Sequence, residues 1–416
     1  MTSITQQTTT KITARNNDSI GDKISPLRHP LLHFLASKLN AVEIDAITVL
    51  LKNGESFDIG FPNPDTPHPV VTIKSLRMIL RGWASGLMGW AEGYMADDWD
   101  IDDTRSITHW AMANEEKLES AFGGSDLTNS INRLWHRLNN NSLRGSRKNI
   151  QYHYDLGNDF YRLWLDDTMT YSAALFESDE QTLADAQHSK YQRILELLAP
   201  EKDQSVLEIG CGWGGFAREL LQHHDVSYTG VTLSDEQLAW AEESLQSDSR
   251  AQFSLTDYRN IDQRVDRIAS IEMFEAVGES HWPTYFAKIK SSLNPGGVAV
   301  LQVITIDHAR LDIYRSTPDF IQKYIFPGGM LPSTECVREL IESHNLRLTD
   351  EQCFGRDYAR TLKIWHQDFL QNWPQIAAQG FDQRFYRMWR YYLAYCEAGF
   401  NTGAIDVRLY RIVNDG

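Results

Sequence analysis

The stretch Val206-Leu207-Glu208-Ile209-Gly210-Cys211-Gly212-Trp213-Gly214-Gly215-Phe216-Ala217 limits what this chain can fold into more than any other. An apolar run ends in an acidic residue, passes through alternating glycines and enters a helical pattern. A buried strand turning sharply into a helix has this signature, and the helix N-terminus then faces a ligand. Gly210, Gly212 and Gly214 let the backbone approach that ligand where a Cβ would stand in the way. The spacing G-x-G-x-G lacks the last interval of the dinucleotide fingerprint G-x-G-x-x-G. Taken alone it is compatible with a bare tight turn, so its surroundings decide.

Those surroundings alternate strand and helix patterns. Strands are predicted at Ser205–Ile209, Ser227–Val231, Ala251–Leu255, Arg267–Ile271 and Gly297–Val303, with helices between them. That cadence predicts an α/β, doubly wound sheet, in which ligands bind at the carboxyl ends of the strands. Thr182-Leu183-Ala184-Asp185 resembles a capping box, and Leu183, Ala186, Tyr191, Ile194, Leu195 and Leu198 form one helical face before Pro200. At 416 residues the chain exceeds one ordinary domain. Residues 1–25 are polar and predict a disordered tail. A small N-terminal α+β domain is expected over 26–120, with strands at Ile47–Leu51, Phe57–Phe61 and Val70–Ile73. Within it, Trp83–Met95 mixes large apolar and small side chains, as a helix packed on strands or a lipid-touching surface would. Residues 121–150 read as a linker holding a helix around Leu127–Leu138 and a basic island of Arg144, Arg147 and Lys148. The catalytic domain is expected over 151–416.

Bulk properties remove several functions. A formal net charge of -16 argues against a nucleic-acid partner and against a simple polybasic membrane anchor. The four cysteines have no paired spacing, and the 13 histidines form no metal-ligand motif, so neither a disulfide frame nor a metal site is expected. Met1-Thr2-Ser3 leads into a polar tract without an apolar run, which predicts no secretory signal. No stretch approaches roughly eighteen consecutive apolar residues. The expectation is a cytoplasmic protein.

The glycine loop resembles the S-adenosylmethionine (SAM) loop of class I methyltransferases. A longer ordered set of motifs narrows the resemblance: Tyr152-His153-Tyr154-Asp155, Thr170-Tyr171-Ser172, Gly210–Gly214, Val231–Ser234 with Gln237, Met273–Gly278, Ile325–Gly329, Asp357–Leu362 and Tyr395–Phe400. Together they resemble the cyclopropane fatty acid synthase family, including the mycolic acid cyclopropane synthases. The resemblance covers essentially everything after residue 150, and the N-terminal domain is more loosely similar to that of the phospholipid-acting members. It implies a Rossmann-like methyltransferase domain, SAM as methyl donor and a cis double bond of a phospholipid acyl chain in a membrane bilayer as acceptor. The enzyme would then lie peripheral to the inner face of the membrane. Such an alkene is a weak nucleophile, and its alkylation leaves a carbocation that water would quench. The chemistry therefore needs an apolar acyl channel, a base and groups that tolerate positive charge.

The resemblance assigns residues to these tasks. Glu275 and Tyr358 match family residues that hold a bicarbonate ion, which takes the proton, and Cys396 matches a cysteine near the substrate channel. Gly210, Gly212 and Gly214 would approach the methionine portion of SAM, beside Tyr171 and Ser172. Thr232 and Gln237 follow the second strand, where ribose and adenine contacts arise, and Asp257, Tyr258 and Arg259 would flank the adenine. Two positions depart from the pattern. Ala173 stands where the family commonly has Cys, and Gln302 where it commonly has His. Ala173 keeps a main-chain amide, and Gln302 can donate to an anion but cannot relay a proton. A changed base could redirect the cation through a hydride shift to a methylene-branched chain. Ring formation is the expected outcome, with a methylene- or methyl-branched chain and a catalytically silent SAM- and lipid-binding protein as the alternatives. Membrane contact through the basic island or through self-association, such as a homodimer, also stays open.

Overall fold

The computed structural model describes residues 30–122 and 156–416. The expected tail, the linker helix, the Arg144–Lys148 island and the Tyr152–Asp155 motif lie outside the described residues.

Residues 30–122 fold around a four-stranded sheet. Helix α1 (Pro30–Ala41) precedes β1 (Ile47–Leu51), β2 (Ser56–Ile59) and β3 (Val70–Ile73); then follow α2 (Arg77–Met95), β4 (Trp99–Ile101), α3 (Thr104–Ala113) and α4 (Glu115–Phe122). The strand order is β2-β1-β3-β4, with β1 parallel to β3 and the other pairs antiparallel. The second strand starts one residue earlier than its apolar run predicts and ends at Ile59, because Gly60 adopts a left-handed φ of 86°. The Trp83–Met95 segment divides at Gly86, whose φ of 59° and ψ of -140° break α2 into two arms. The first arm leaves Leu80 and Trp83 exposed, and the second buries Ala91, Tyr94 and Met95. The first arm also buries Met78 and Ile79, so it packs on one face and exposes the other, whereas the second arm is largely buried.

From residue 156 the chain builds a seven-stranded sheet. After the short helix α5 (Asn158–Tyr161) come α6 (Leu183–Leu198), β5 (Ser205–Ile209), α7 (Gly215–His223), β6 (Ser227–Thr232), α8 (Asp235–Ser244), β7 (Ala251–Leu255) and β8 (Val265–Ile271). Then follow α9 (Trp282–Ser292), β9 (Leu293–Ile306), α10 (Leu311–Ser316), α11 (Thr334–Ser343), β10 (Arg347–Cys353), α12 (Gly355–Ala378), α13 (Gln383–Thr402) and β11 (Ile405–Val413). The order β10-β11-β9-β8-β5-β6-β7 places β5 at the point where the winding reverses. Strands β5 to β9 are parallel, whereas β11 runs antiparallel to β9 and to β10. The predicted doubly wound sheet is present, and β10 and β11 extend it beyond the five predicted strands.

Local chemistry fixes the helix starts. Thr182 accepts from the amide of Asp185 at 3.2 Å and donates to its carboxylate at 2.7 Å, so α6 begins with the predicted box. Ser234 caps α8 through the Gln237 amide. The two sheet units are joined by ion pairs: Arg105 grips the nearly inaccessible Glu397 of α13 through two 2.6 Å bonds, and Lys323 and Tyr324 both bond Glu92 of α2 at 2.7 Å.

Candidate active site

The cofactor end of the site is made of backbone. Gly210, Gly212 and Gly214 have φ of 85°, 52° and 83°, left-handed values that penalise any Cβ. Beyond Gly212 the space is open, whereas a Cβ on Gly210 would lie 3.0 Å from the Met273 side chain. Gly214 caps α7, so the helix N-terminus points into this opening. Glu208, at the carboxyl end of β5, is buried and accepts from the Tyr228 hydroxyl; burial pushes its carboxyl up to about 8.

The residues expected around the cofactor take distinct positions. Thr232, the last residue of β6, donates to Gln237 at 2.8 Å. Asp257 pairs with Arg259 at 2.7 Å beyond β7, and Tyr258 between them packs on Tyr285 in the core. Tyr171 bonds the Tyr392 hydroxyl at 2.7 Å and lines the large cavity described below. Ser172 accepts from the buried ammonium of Lys190 at 2.8 Å.

The floor of the site centres on Glu272, a residue that the sequence analysis did not single out. It follows β8 directly and holds a left-handed φ of 50°, a strained conformation for a glutamate. Three donors from three distant segments converge on its carboxylate: the Ala173 amide at 2.8 Å, the Gln302 side-chain amide at 2.7 Å and the Tyr358 hydroxyl at 2.7 Å. Burial raises its affinity for a proton, against the pull of these donors and of Lys190. Lys190 itself is fully buried, and desolvation lowers it to about 7.

Glu275 stands beside this carboxylate. One of its oxygens accepts from the Ile304 amide, and the other is buried without a hydrogen-bond partner. Burial, with Glu272 nearby, pushes it up to about 8. The remaining accessible surface of both glutamates faces a cavity rather than bulk water, so both titrate as buried groups. The groups that the family resemblance assigned to a bicarbonate are thus distributed differently. Ala173, Gln302 and Tyr358 already donate to the chain's own carboxylate, and Glu275 turns to the backbone. These donors do not fit a separate anion at the same point. Cys396 lies in the cavity wall, and burial pushes its thiol up, away from the reactive thiolate.

Above the floor lies an apolar cavity of about 930 Å³. Tyr171, Tyr358, Cys396, Phe400, Tyr391 and Tyr392 are among the residues that line it. The aromatic α13 therefore serves both as core and as wall: Trp389 is buried in the core, while Tyr391, Tyr392 and Tyr395 face the cavity.

A doubly wound sheet with a glycine loop at its switch point, opening beside an apolar chamber, defines a SAM-dependent methyltransferase. Comparison with known proteins carries this further. Residues 141–410 match the family model for mycolic acid cyclopropane synthetase, and the chain belongs to that family. It is 38% identical over 344 residues to the tuberculostearic acid methyltransferase UfaA1 of Mycobacterium tuberculosis, covering 80% of each chain. It is 35% identical over 353 residues to the cyclopropane-fatty-acyl-phospholipid synthase of Escherichia coli, covering 82% of this chain and 87% of that one. The solved mycolic acid cyclopropane synthase CmaA1, complexed with SAH and CTAB, superposes with a TM-score of 0.61 at 33% identity, covering 64% of this chain and 98% of that chain. Among the described residues no helix is long and apolar enough to cross a membrane.

Proposed function

We propose that this enzyme alkylates the cis double bond of an unsaturated phospholipid acyl chain and that Glu272 takes the proton released from the added carbon. The observation that carries the proposal is the convergence of Ala173, Gln302 and Tyr358 on the Glu272 carboxylate. SAM, when bound at the glycine loop, supplies the methyl group as a cation equivalent. The cavity excludes water, and its tyrosine rings present π-faces to the cation left on the chain. Glu272 is then a general base fixed to the backbone, and its raised proton affinity suits it to that step.

Two products can follow from the same base. Loss of a proton from the new methyl group closes a cyclopropane ring. If a hydride shifts first, the same loss leaves an exocyclic methylene branch. We assign the branched product, since Ala173, Gln302 and Glu272 together replace the separate-anion arrangement and since UfaA1 is named for a branched acid. Ring closure is the second reading, favoured by the similarity to the Escherichia coli synthase. Methyl-deuterated SAM and oleoyl phospholipid vesicles test both. Either product retains two deuterons and the two are isomers, so ozonolysis separates them. Cleavage at a labelled methylene carbon supports branching, a resistant labelled chain supports the ring, and absence of labelled lipid overturns the proposal. Turnover in bicarbonate-stripped buffer is expected to be undiminished.

The route to the membrane is apolar in this proposal. Leu80 and Trp83 on the first arm of α2 are 53% and 70% exposed, and Ile313, at 57%, borders the cavity. With a net charge of -16, contact through such side chains is favoured over charge attraction to an anionic bilayer. In this proposal the enzyme is a peripheral protein of the inner membrane face.

A further inference from the structure

The cavity does not end in the catalytic domain. Side chains from α1, β1, β2 and β3 bound the same continuous space that ends at Glu272, among them Leu35, Val49, Ile59 and Ile73. These residues are 1–5% exposed and belong to the core of the small domain. A domain core normally packs with few voids larger than a water molecule, and an apolar void costs stability. This core instead borders the cavity on the side that faces the active site. Polar wall groups, among them Thr108, Glu115, Glu116, Glu119 and Arg310, lie on α3, α4 and the turn before α10, whereas α1 and β1 to β3 contribute only Leu, Ile and Val. A lipid headgroup finds no partner at that end. A hydrocarbon tail does.

We infer that the small N-terminal domain houses the methyl-terminal segment of the reacting acyl chain, the part beyond the double bond, and so measures its length. The inference rests on the double-bond alkylation proposed above. With the double bond over Glu272, the two arms of the chain must leave in different directions. The arm bearing the headgroup must reach solvent and bilayer, so the closed end between α1 and the sheet takes the other. The ion pairs Arg105–Glu397 and Lys323–Glu92 hold the two domains together, so that the far wall of the cavity sits at a fixed distance from the base. Val49 stands in that wall on a central strand, directly paired with Val71 of β3.

The test uses vesicles of myristoleoyl, palmitoleoyl and oleoyl phospholipid, which share the headgroup-to-double-bond distance and differ only beyond it. Val49→Phe is expected to lower conversion of oleoyl relative to myristoleoyl chains by at least about tenfold, while Val49→Ala is expected to shift the same ratio towards the longer chain. The ratio between chains is read within one preparation, so loss of active protein cancels. If Val49→Phe does not fold, a phospholipid with a photoreactive diazirine at the acyl terminus, irradiated with the wild-type enzyme, decides the matter. Crosslinks are expected within residues 30–101. An unchanged chain ratio in folded Val49→Phe, or crosslinks confined to the catalytic domain during turnover, would overturn the inference. Crosslinks within 30–101 without turnover of any chain would support the acyl site and overturn the double-bond chemistry instead.

Discussion

The two ends of the site are built from opposite materials. The cofactor end is backbone: Gly210, Gly212 and Gly214 adopt left-handed conformations, and a helix N-terminus supplies the dipole. The substrate end is side chain: one carboxylate held by an amide, a carboxamide and a phenol. A backbone site is broken by adding atoms and is indifferent to charge. A side-chain site keeps its shape under isosteric change but fails when a charge or donor is lost. Glu272 mixes the two logics, since it carries its charge on a left-handed backbone. The strain of that position is the cost of placing a buried carboxylate there.

The strongest way to break this contrast is at Glu272 itself. Glu272→Gln is expected to lower label transfer from SAM to lipid by roughly 10³-fold, as for loss of a general base, with SAM affinity measured by calorimetry changed little. Glu272→Gly is expected to be equally inactive yet at least as stable in thermal melts, because glycine relieves a conformation that costs about 1–2 kcal/mol. A fall in melting temperature would show that the carboxylate is structural. At the other end, Gly210→Ala is expected to lose about 1–2 kcal/mol of stability through its left-handed φ. It should also weaken SAM binding, since its Cβ meets Met273. Wild-type affinity in that variant would refute a backbone-built cofactor end.

Tyr358→Phe sharpens the contrast by removing one of the three donors. Loss of a hydrogen bond to a charged group is worth about 1.5–3 kcal/mol, so turnover should fall by roughly ten- to a hundredfold, with the activity profile shifted to higher pH. An unshifted profile would detach the phenol from the base. Glu275 offers a smaller, pH-dependent effect. Its folded value of about 8 exceeds the ordinary 4.5, so the folded state holds this proton more tightly. Its contribution to stability is complete below about pH 4.5 and is lost as pH rises through 8. Glu275→Gln lacks that dependence and should gain stability relative to wild type from about pH 5 to 8, by roughly 2–4 kcal/mol in urea titrations. A constant difference across pH would contradict a protonated Glu275. The smallest effect is expected at Trp83→Ser: weaker vesicle binding in sedimentation by about tenfold or less, with an unchanged melting temperature. Equal binding would move the bilayer contact elsewhere.

The glycine loop and the five parallel strands were legible because each is a local pattern, an apolar run closed by a turn residue. Strand β11 alternates Val407, Leu409 and Tyr410 with Arg408 and Arg411, but its neighbour β9 is a hundred residues away in the chain and pairs with it only in three dimensions. Strand β9 runs from Leu293 to Ile306, and Asn294-Pro295-Gly296-Gly297 at its start reads as a turn in sequence. Glu272 was missed for the same reason. An acid after a strand is ordinary, and its distinction lies in donors 99, 30 and 86 residues distant. The signal available was a second glutamate three positions before Glu275, together with the departures at Ala173 and Gln302. Read jointly, the three residues describe one carboxylate and its neighbours.

A base that is part of the polypeptide has no dissociation constant. Its occupancy is complete in every folded molecule, whatever the supply of dissolved inorganic carbon. On the proposed role of Glu272, alkylation would be uncoupled from respiration and gas exchange, and limited instead by the methyl donor and by the supply of unsaturated acceptor.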